Sequence, residues 1–208
     1  MNRLVLIAVA SYFLGSIPFG YLLVHFVRGE DVRLSGSGNI GATNVSRKSP
    51  ALGVLTLLLD ALKGSAAVML AFRLSGGATL GATPCVPMAM AALCAVLGHI
   101  FSVWLKFRGG KGVATAFGSF LVIMPRAVLI AAFIFVLVLV LFRYVSVASI
   151  VAVASFPLLF VREALRLHHA ATPVVFIAAS SLVIIERHHA NIRRLVNGTE
   201  SRLGAKRT

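Results

Sequence analysis

The stretch LVLIAVASYFLGSIPFGYLLVHFV, Leu4 to Val27, carries no Asp, Glu, Lys or Arg over its whole length. A helix needs about 20 mostly apolar residues to cross a bilayer, and this run has them. Ala8-Val9-Ala10 resembles a signal-peptide cleavage site, but the apolar run continues far past it, so the helix is expected to stay in the chain. The rest of the sequence repeats the pattern. Of 208 residues 59% are hydrophobic and 12% charged, with 20 Lys and Arg against 6 Asp and Glu, a net charge of +14. A soluble domain carries about twice that share of charge. The apolar excess must therefore face lipid. Disorder, a disulfide-stapled secreted fold and a soluble nucleic-acid binder are excluded as function classes. Cys85 and Cys94 fit no zinc spacing and read as small apolar residues packed among helices.

Further apolar segments run from Ala51 to Phe72, Pro84 to Leu105, Val113 to Met124, Ala127 to Phe142, Tyr144 to Val161 and Ala170 to Ile185. The expectation is an all-α polytopic membrane protein with seven transmembrane helices, the fourth and fifth being the least clearly marked, since Val113 to Met124 is short for a crossing and ends at Pro125. Residues 1–208 form one integral membrane domain, with a polar basic tail from about 197. Basic residues set the orientation. One side of a seven-span chain receives Arg28, Arg33, Arg47, Lys48, Lys106, Arg108, Lys111, Arg143 and the tail's Arg187, Arg193, Arg194, Arg202, Lys206 and Arg207. The other receives Arg3, Arg73, Arg126, Arg162 and Arg166. The asymmetry places the C-terminus in the cytoplasm and the N-terminus in the periplasm.

Three segments on the basic side carry chemistry. The first runs from Ser35 to Arg47, with Gly36, Gly38 and Gly41 as a literal G-x-G-x-x-G. It is no dinucleotide fingerprint, since membrane helices flank it instead of a βαβ unit. Its glycines still let backbone N–H groups turn toward an anion. Ser37, Asn39, Thr43 and Asn44 add donors and Arg47 a guanidinium fork. The second, Lys106 to Thr115, contains Gly109-Gly110-Lys111-Gly112 ahead of a helix N-terminus, where free N–H groups and the helix dipole favour phosphate. It lacks the Ser or Thr that follows the lysine of a Walker A loop. The third begins at Arg187-His188. His188 and Asn191 share a helix face, and Glu200 is placed to pair with nearby arginines and hold the tail. Within spans, Asp60 and Lys63 stand at i and i+3 and are expected to pair; His99 sits near the end of the third span. Gly15, Pro18 and Gly20 suggest close packing or a kink. Acids are nearly absent from the three segments, so they read as a site for one or two phosphate-bearing molecules at the cytoplasmic interface.

The residues Ser37-Gly38-Asn39-Ile40-Gly41-Ala42-Thr43-Asn44 through Arg47, then Gly109-Gly110-Lys111-Gly112-Val113-Ala114-Thr115, then His188, Asn191, Ile192, Arg194, Leu195, Gly198 and Glu200, closely resemble the three motifs of the bacterial acyl-phosphate-dependent glycerol-3-phosphate acyltransferases, the PlsY family. The segments Leu59 to Gly64, Leu97 to His99 and Arg143 to Ser149 are similar to it as well. The resemblance spans nearly the whole chain. It implies an enzyme of the bacterial cytoplasmic (inner) membrane, with its active site at the cytoplasmic face, that transfers an acyl group from acyl phosphate to the sn-1 hydroxyl of glycerol 3-phosphate. The products are lysophosphatidic acid and phosphate, in the first step of phospholipid synthesis.

By the same resemblance Lys111, with Gly109, Gly110, Gly112 and Thr115, holds glycerol phosphate. Ser37, Thr43 and Arg47, with Gly38, Asn39, Gly41 and Asn44, hold acyl phosphate and polarise its carbonyl. His188 and Asn191 orient the acceptor, and Ser149 joins the binding set. The two phosphates can be exchanged between the cations in this reading, and the proton acceptor is either His188 or a substrate phosphate oxygen. Asp60, Lys63, His99 and Glu200 are assigned to structure, with a substrate contact left open as the alternative for the Asp60–Lys63 pair. No cofactor, metal or nucleic acid is expected; membrane lipid, and the enzyme that makes acyl phosphate, are the expected associates. None of the six histidines has Asp five positions on, so the H-x-x-x-x-D box of acyl-CoA-type acyltransferases is missing. A transporter of organic phosphates would suit the basic mouth, but no inverted repeat is visible. A non-catalytic anionic-lipid binder explains the charge but not the ordered polar content of the first loop.

Overall fold

The computed structural model describes residues 2–76, 86–168, 170 and 172–204. Cys85, His169, Lys206 and Arg207 lie outside the described residues, as does Pro84 at the expected start of the third span. Every regular element among the described residues is a helix. In chain order they are α1 (Arg3–Ser16), α2 (Phe19–Arg28), α3 (Ala42–Val45), α4 (Pro50–Leu74), α5 (Val86–Ile100), α6 (Val113–Ile123), α7 (Pro125–Phe142), α8 (Val145–Arg166), α9 (Val174–Glu186) and α10 (His189–Val196). Short 3₁₀ turns occupy Val32–Leu34 and Val103–Leu105.

Five stretches are long and apolar enough to cross a membrane: Arg3–Arg28, Pro50–Leu74, Val86–Leu105, Pro125–Phe142 and Val145–Arg166. Helices α6 and α9 are apolar but shorter. At 1.5 Å per residue they reach about 16 and 20 Å, against about 30 Å of hydrocarbon. Helix α6 is also largely enclosed. Thr115, Ala116, Gly118, Ser119, Phe120 and Ile123 of α6 are all buried. Helix α7 is the opposite, with Leu129, Phe133, Val140 and Leu141 exposed to the surroundings.

The first span, Arg3–Arg28, breaks between Ser16 and Phe19, at the kink that Pro18 suggests. Pro18 has no N–H to give and its ring excludes the preceding turn from helix. The break frees two carbonyls inside the bundle. Ser102 Oγ donates to the Ser16 carbonyl at 2.6 Å, and Lys63 Nζ to the Ile17 carbonyl at 2.7 Å. Freed backbone groups in a membrane need such partners. The sixth apolar segment runs past Val161 to Arg166, because Glu163 is buried at 7% side-chain exposure and paired with Arg166 at 2.7 Å.

Small residues bring α4 and α6 together. The Gly64 backbone rests on the Thr115 carbonyl and the Gly118 backbone on that of Ala61, leaving no room for a side chain at either. This contact fixes the start of α6, and with it Lys111, against the ion-pair region of α4. Val96, Phe120, Phe156, Phe160, Ile177 and Ile184 fill the core between α5, α6, α8 and α9, with Phe120 and Phe156 stacked at 4.3 Å.

Candidate active site

The first loop is wired by one side chain. Asn44 is 3% exposed. Its Nδ2 donates to the carbonyls of Val32, Ser35 and Asn39 at 3.0, 3.0 and 2.9 Å, and its Oδ1 accepts from the Ser37 N–H at 2.9 Å. Asn39 Oδ1 accepts from the Gly41 N–H at 2.8 Å, an Asx turn. The polar atoms of Asn44 and the carbonyl oxygen of the Asn39 side chain are thus spent on the loop itself. Gly36 and Gly38 take φ values of 62° and 69°, which a side chain resists, and Asn44 Oδ1 fills the space a Cβ would need at Gly36. What this wiring holds outward is Ser37, Thr43 and Arg47. All three are exposed, and among the described residues their side chains make no hydrogen bond.

The second loop is pinned to the end of α5. Gly109 N–H donates to the Ile100 carbonyl and Gly110 N–H to that of His99, both at 3.0 Å. Those two amides are therefore occupied. Gly112, at φ 85°, turns the chain into α6. Lys111 projects from this turn and donates to Asn191 Oδ1 at 2.5 Å. Burial pushes its ammonium down to about 8; Glu200 opposes that shift, and Arg194, Arg47 and Arg187 add to it. Thr115 is fully buried one turn on, with its hydroxyl unpartnered among the described residues.

The third segment closes the site. His188 precedes α10, is 2% exposed, and its Nδ1 lies 2.8 Å from the Ile184 carbonyl. A carbonyl only accepts, so Nδ1 carries the proton and Nε2 the lone pair. Burial, then the Lys111 charge, push the imidazole down to about 4, so the ring is neutral. Asn191 bridges two charges: its Oδ1 faces Lys111, and its Nδ2 donates to Glu200 Oε1 at 2.6 Å. Glu200 also accepts from Ser146 Oγ and Arg194 Nε, each at 2.7 Å. Burial raises the Glu200 carboxyl, but the hydrogen bonds from Asn191, Ser146 and Arg194 outweigh it, and the group sits below its usual value.

The structure thus joins Lys111, Asn191, Glu200 and Arg194 directly, with His188 beside Lys111 and Arg47 near enough to act on its charge. Ser149 stands apart from that network, its hydroxyl turned back onto the Val145 carbonyl at 2.8 Å. Asp60 and Lys63 pair at 2.7 Å, as their spacing predicts, with His99 alongside. Two participants escape the sequence reading as site members: Arg187, in range of Lys111, and Ser146, which holds Glu200 across 54 positions of chain. Nothing local signals the second contact.

Comparisons with known proteins identify the family. The family model for glycerol-3-phosphate acyltransferase matches residues 5–198. The glycerol-3-phosphate acyltransferase of Syntrophotalea carbinolica is 47% identical over 99% of this chain and 100% of its own length. That of Ehrlichia canis is 42% identical over 98% and 100%. The crystal structure of PlsY, an integral membrane glycerol 3-phosphate acyltransferase, in its glycerol 3-phosphate form superposes with a TM-score of 0.86 at 35% identity, covering 98% of this chain and 96% of that one. Its lysophosphatidic acid form gives 0.83 at 33% identity with the same coverage. The chain belongs to the glycerol-3-phosphate acyltransferase family and is an integral membrane acyltransferase of lipid synthesis.

Proposed function

We propose that the protein transfers an acyl group from acyl phosphate to the sn-1 hydroxyl of glycerol 3-phosphate, releasing lysophosphatidic acid and inorganic phosphate at the cytoplasmic face of the inner membrane. The observation that carries this reading is the meeting of Lys111, Asn191, Glu200 and Arg194, with Arg47 of the first loop in range of Lys111 and Ser37 and Thr43 exposed on that same loop. Four cations there, Arg47, Lys111, Arg187 and Arg194, face one carboxylate, Glu200. Such an excess suits two phosphate-bearing substrates held side by side.

In this mechanism Lys111 binds the phosphate of glycerol 3-phosphate, with Asn191 setting the direction of its ammonium. Arg47 and Ser37 hold acyl phosphate and stabilise charge on its carbonyl oxygen. The glycerol oxygen attacks the acyl carbon, a C–O bond forms, and the bond from that carbon to the phosphate oxygen breaks. Acyl phosphate is a mixed anhydride with a good leaving group, so no covalent enzyme intermediate is needed and positioning supplies much of the rate. The hydroxyl proton goes to a phosphate oxygen. His188 is a weak base at about 4 and nearly inaccessible, which fits a role in fixing the start of α10 better than proton abstraction.

The chain crosses the membrane seven times in this reading, with α1 and α2 as one broken span and α6 and α9 crossing as short helices, the N-terminus periplasmic and the C-terminus cytoplasmic. The enzyme that makes acyl phosphate works on the same face. The test is acyl transfer by purified protein in detergent, with labelled glycerol 3-phosphate offered palmitoyl phosphate or palmitoyl-CoA. Lysophosphatidic acid is expected from the phosphate donor alone; product from the CoA donor alone overturns the donor assignment.

A further inference from the structure

Asp60, Lys63 and His99 take no part in the chemistry above, yet they are 2%, 4% and 4% exposed within the bundle. Their contacts specify one arrangement of protons. Lys63 Nζ has three hydrogens and three neighbours to receive them: the Ile17 carbonyl at 2.7 Å, His99 Nδ1 at 2.9 Å and, as an ion pair off the line of a good hydrogen bond, Asp60 Oδ1 at 2.7 Å. An ammonium only donates. His99 Nδ1 therefore accepts, and the neutral ring carries its proton on Nε2. That nitrogen lies against Gly110, where a Cβ would collide with it. The backbone carbonyl of the same His99 holds the Gly110 N–H at 3.0 Å, and that of Ile100 holds Gly109. The glycine pair ahead of Lys111 is gripped by side chain and backbone of one helical turn.

A plain staple between α4 and the broken first span needs the ion pair and the Ile17 carbonyl. It does not need a third group whose far side forms the seat of the Lys111 loop. Ionisable groups inside a membrane are costly and are kept for a task. We infer that Asp60, Lys63 and His99 form a positioning relay that sets the placement of Lys111, and through it the affinity for the acceptor's phosphate. The relay acts through Gly109 and Gly110 and touches no substrate, so His99 is a positioning residue. This rests on the reading that Lys111 holds glycerol 3-phosphate.

The experiment measures binding of labelled glycerol 3-phosphate to purified protein without donor, and KM and kcat with it. His99→Asn keeps an amide oxygen where Nδ1 accepts from Lys63 but is too short to reach Gly110. It is expected to melt near wild type, to weaken Kd and KM for glycerol 3-phosphate about tenfold, and to change kcat much less. Gly110→Ala is expected to weaken the same constants on its own, because the ring must move, and to do so far less in the His99→Asn background, because the obstructing ring is gone. A folded His99→Asn protein with wild-type acceptor affinity overturns the relay, as do losses that simply multiply in the double variant. Gly110→Ala leaves the ion pair untouched and serves if His99→Asn does not fold; wild-type affinity in that variant also overturns it. The underlying reading fails separately, through Lys111→Ala: a folded variant that binds glycerol 3-phosphate like wild type removes the premise, whereas loss of binding there with none in His99→Asn removes the relay alone.

Discussion

Two charged clusters hold the Lys111 loop, and their contents differ in a telling way. Asp60, Lys63 and His99 lie inside the bundle and balance: one anion, one cation and one neutral ring, with the ammonium hydrogen-bonded to the Ile17 carbonyl and His99 and ion-paired with Asp60. Lys111, Asn191, Arg194 and Glu200 lie at the loop end, with Arg47 and Arg187 nearby, and do not balance. Burying charge is tolerable only when it is paired and hydrogen-bonded. The inner cluster pairs its charges within itself and so can be scaffold. The outer cluster is left with cations in excess, which the proposed anionic substrates would balance. Excess cation with spare donors, more than charge as such, separates a binding site from a brace.

The sharpest way to break this contrast is Lys111→Ala. Removing the central cation of the unbalanced cluster should reduce acyl transfer by about a hundredfold to a thousandfold, the range that one preorganised electrostatic group supplies. The protein should still fold, since Asn191 keeps Glu200 and loses only a partner that solvent can replace. Activity and melting temperature, measured on one preparation, decide it; a folded and fully active variant sinks the assignment. The inner cluster should respond in the opposite sense. Lys63→Met leaves Asp60 as a buried carboxylate without its cation, which costs about 3 to 5 kcal/mol. Melting should fall steeply, and adding Asp60→Asn should restore much of it. A Lys63→Met protein as stable as wild type means the pair is no brace.

The sequence shows the two clusters unequally. The i, i+3 spacing of Asp60 and Lys63 is enough to predict their pairing. The apolar runs locate every described helix of membrane character, because lipid imposes a length and a composition that can be counted. Pro18 marks the break in the first run, but the fate of the freed carbonyls depends on Ser102 and Lys63, far along the chain. The loop residues of the site are legible as phosphate chemistry, yet their division of labour is not. Asn44 and Ser37 look alike in a polar glycine loop; only the fold reveals that Asn44 spends its amide on the loop's carbonyls while Ser37 faces out. Likewise no local pattern places Ser146 on Glu200 or His99 against Gly110. Those contacts arise from helix packing, which short-range periodicity does not encode.

A gentler probe of the unbalanced cluster is pH. Lys111 sits at about 8 in the free enzyme. Its ammonium is present below that value and is lost as pH rises through it, so kcat/KM for glycerol 3-phosphate should be level toward pH 7. Above about 8 it should fall, approaching tenfold per unit. Lys111→Arg keeps its charge throughout this range. Whatever activity that variant retains should lack the alkaline fall; an unchanged limb assigns the titration to another group. Glu200→Gln is a milder change still to the same cluster. It removes the only anion while leaving an oxygen for Arg194 or Ser146, and about a tenfold loss of activity is expected as Asn191 loses its charged anchor.

The smallest effect belongs to a third charge group, at the opposite end of α8 from Ser146. Glu163 is buried there, held by Arg166 Nε at 3.0 Å and Nη2 at 2.7 Å, with Arg126 at 3.7 Å. Arg166 is 47% exposed at its side chain, so solvent screens much of what it contributes. Arg126 and water remain to face the carboxylate when it is removed. Arg166→Ala should therefore lower the melting temperature slightly, corresponding to about 1 kcal/mol, and leave the kinetic constants for glycerol 3-phosphate where they were. Glu163 resembles Glu200 in being an acid with little side-chain exposure that is held by arginine. If the two behaved alike, burial and pairing alone would decide function. The two differ in what lies beyond the pair: Glu200 connects through Asn191 to Lys111 and its surplus of positive charge, whereas among the described residues the Glu163 carboxylate meets only the arginines that neutralise it. A large fall in acyl transfer in Arg166→Ala, with folding intact, would show that the far end of α8 is coupled to the site and that the contrast drawn from charge balance is too local.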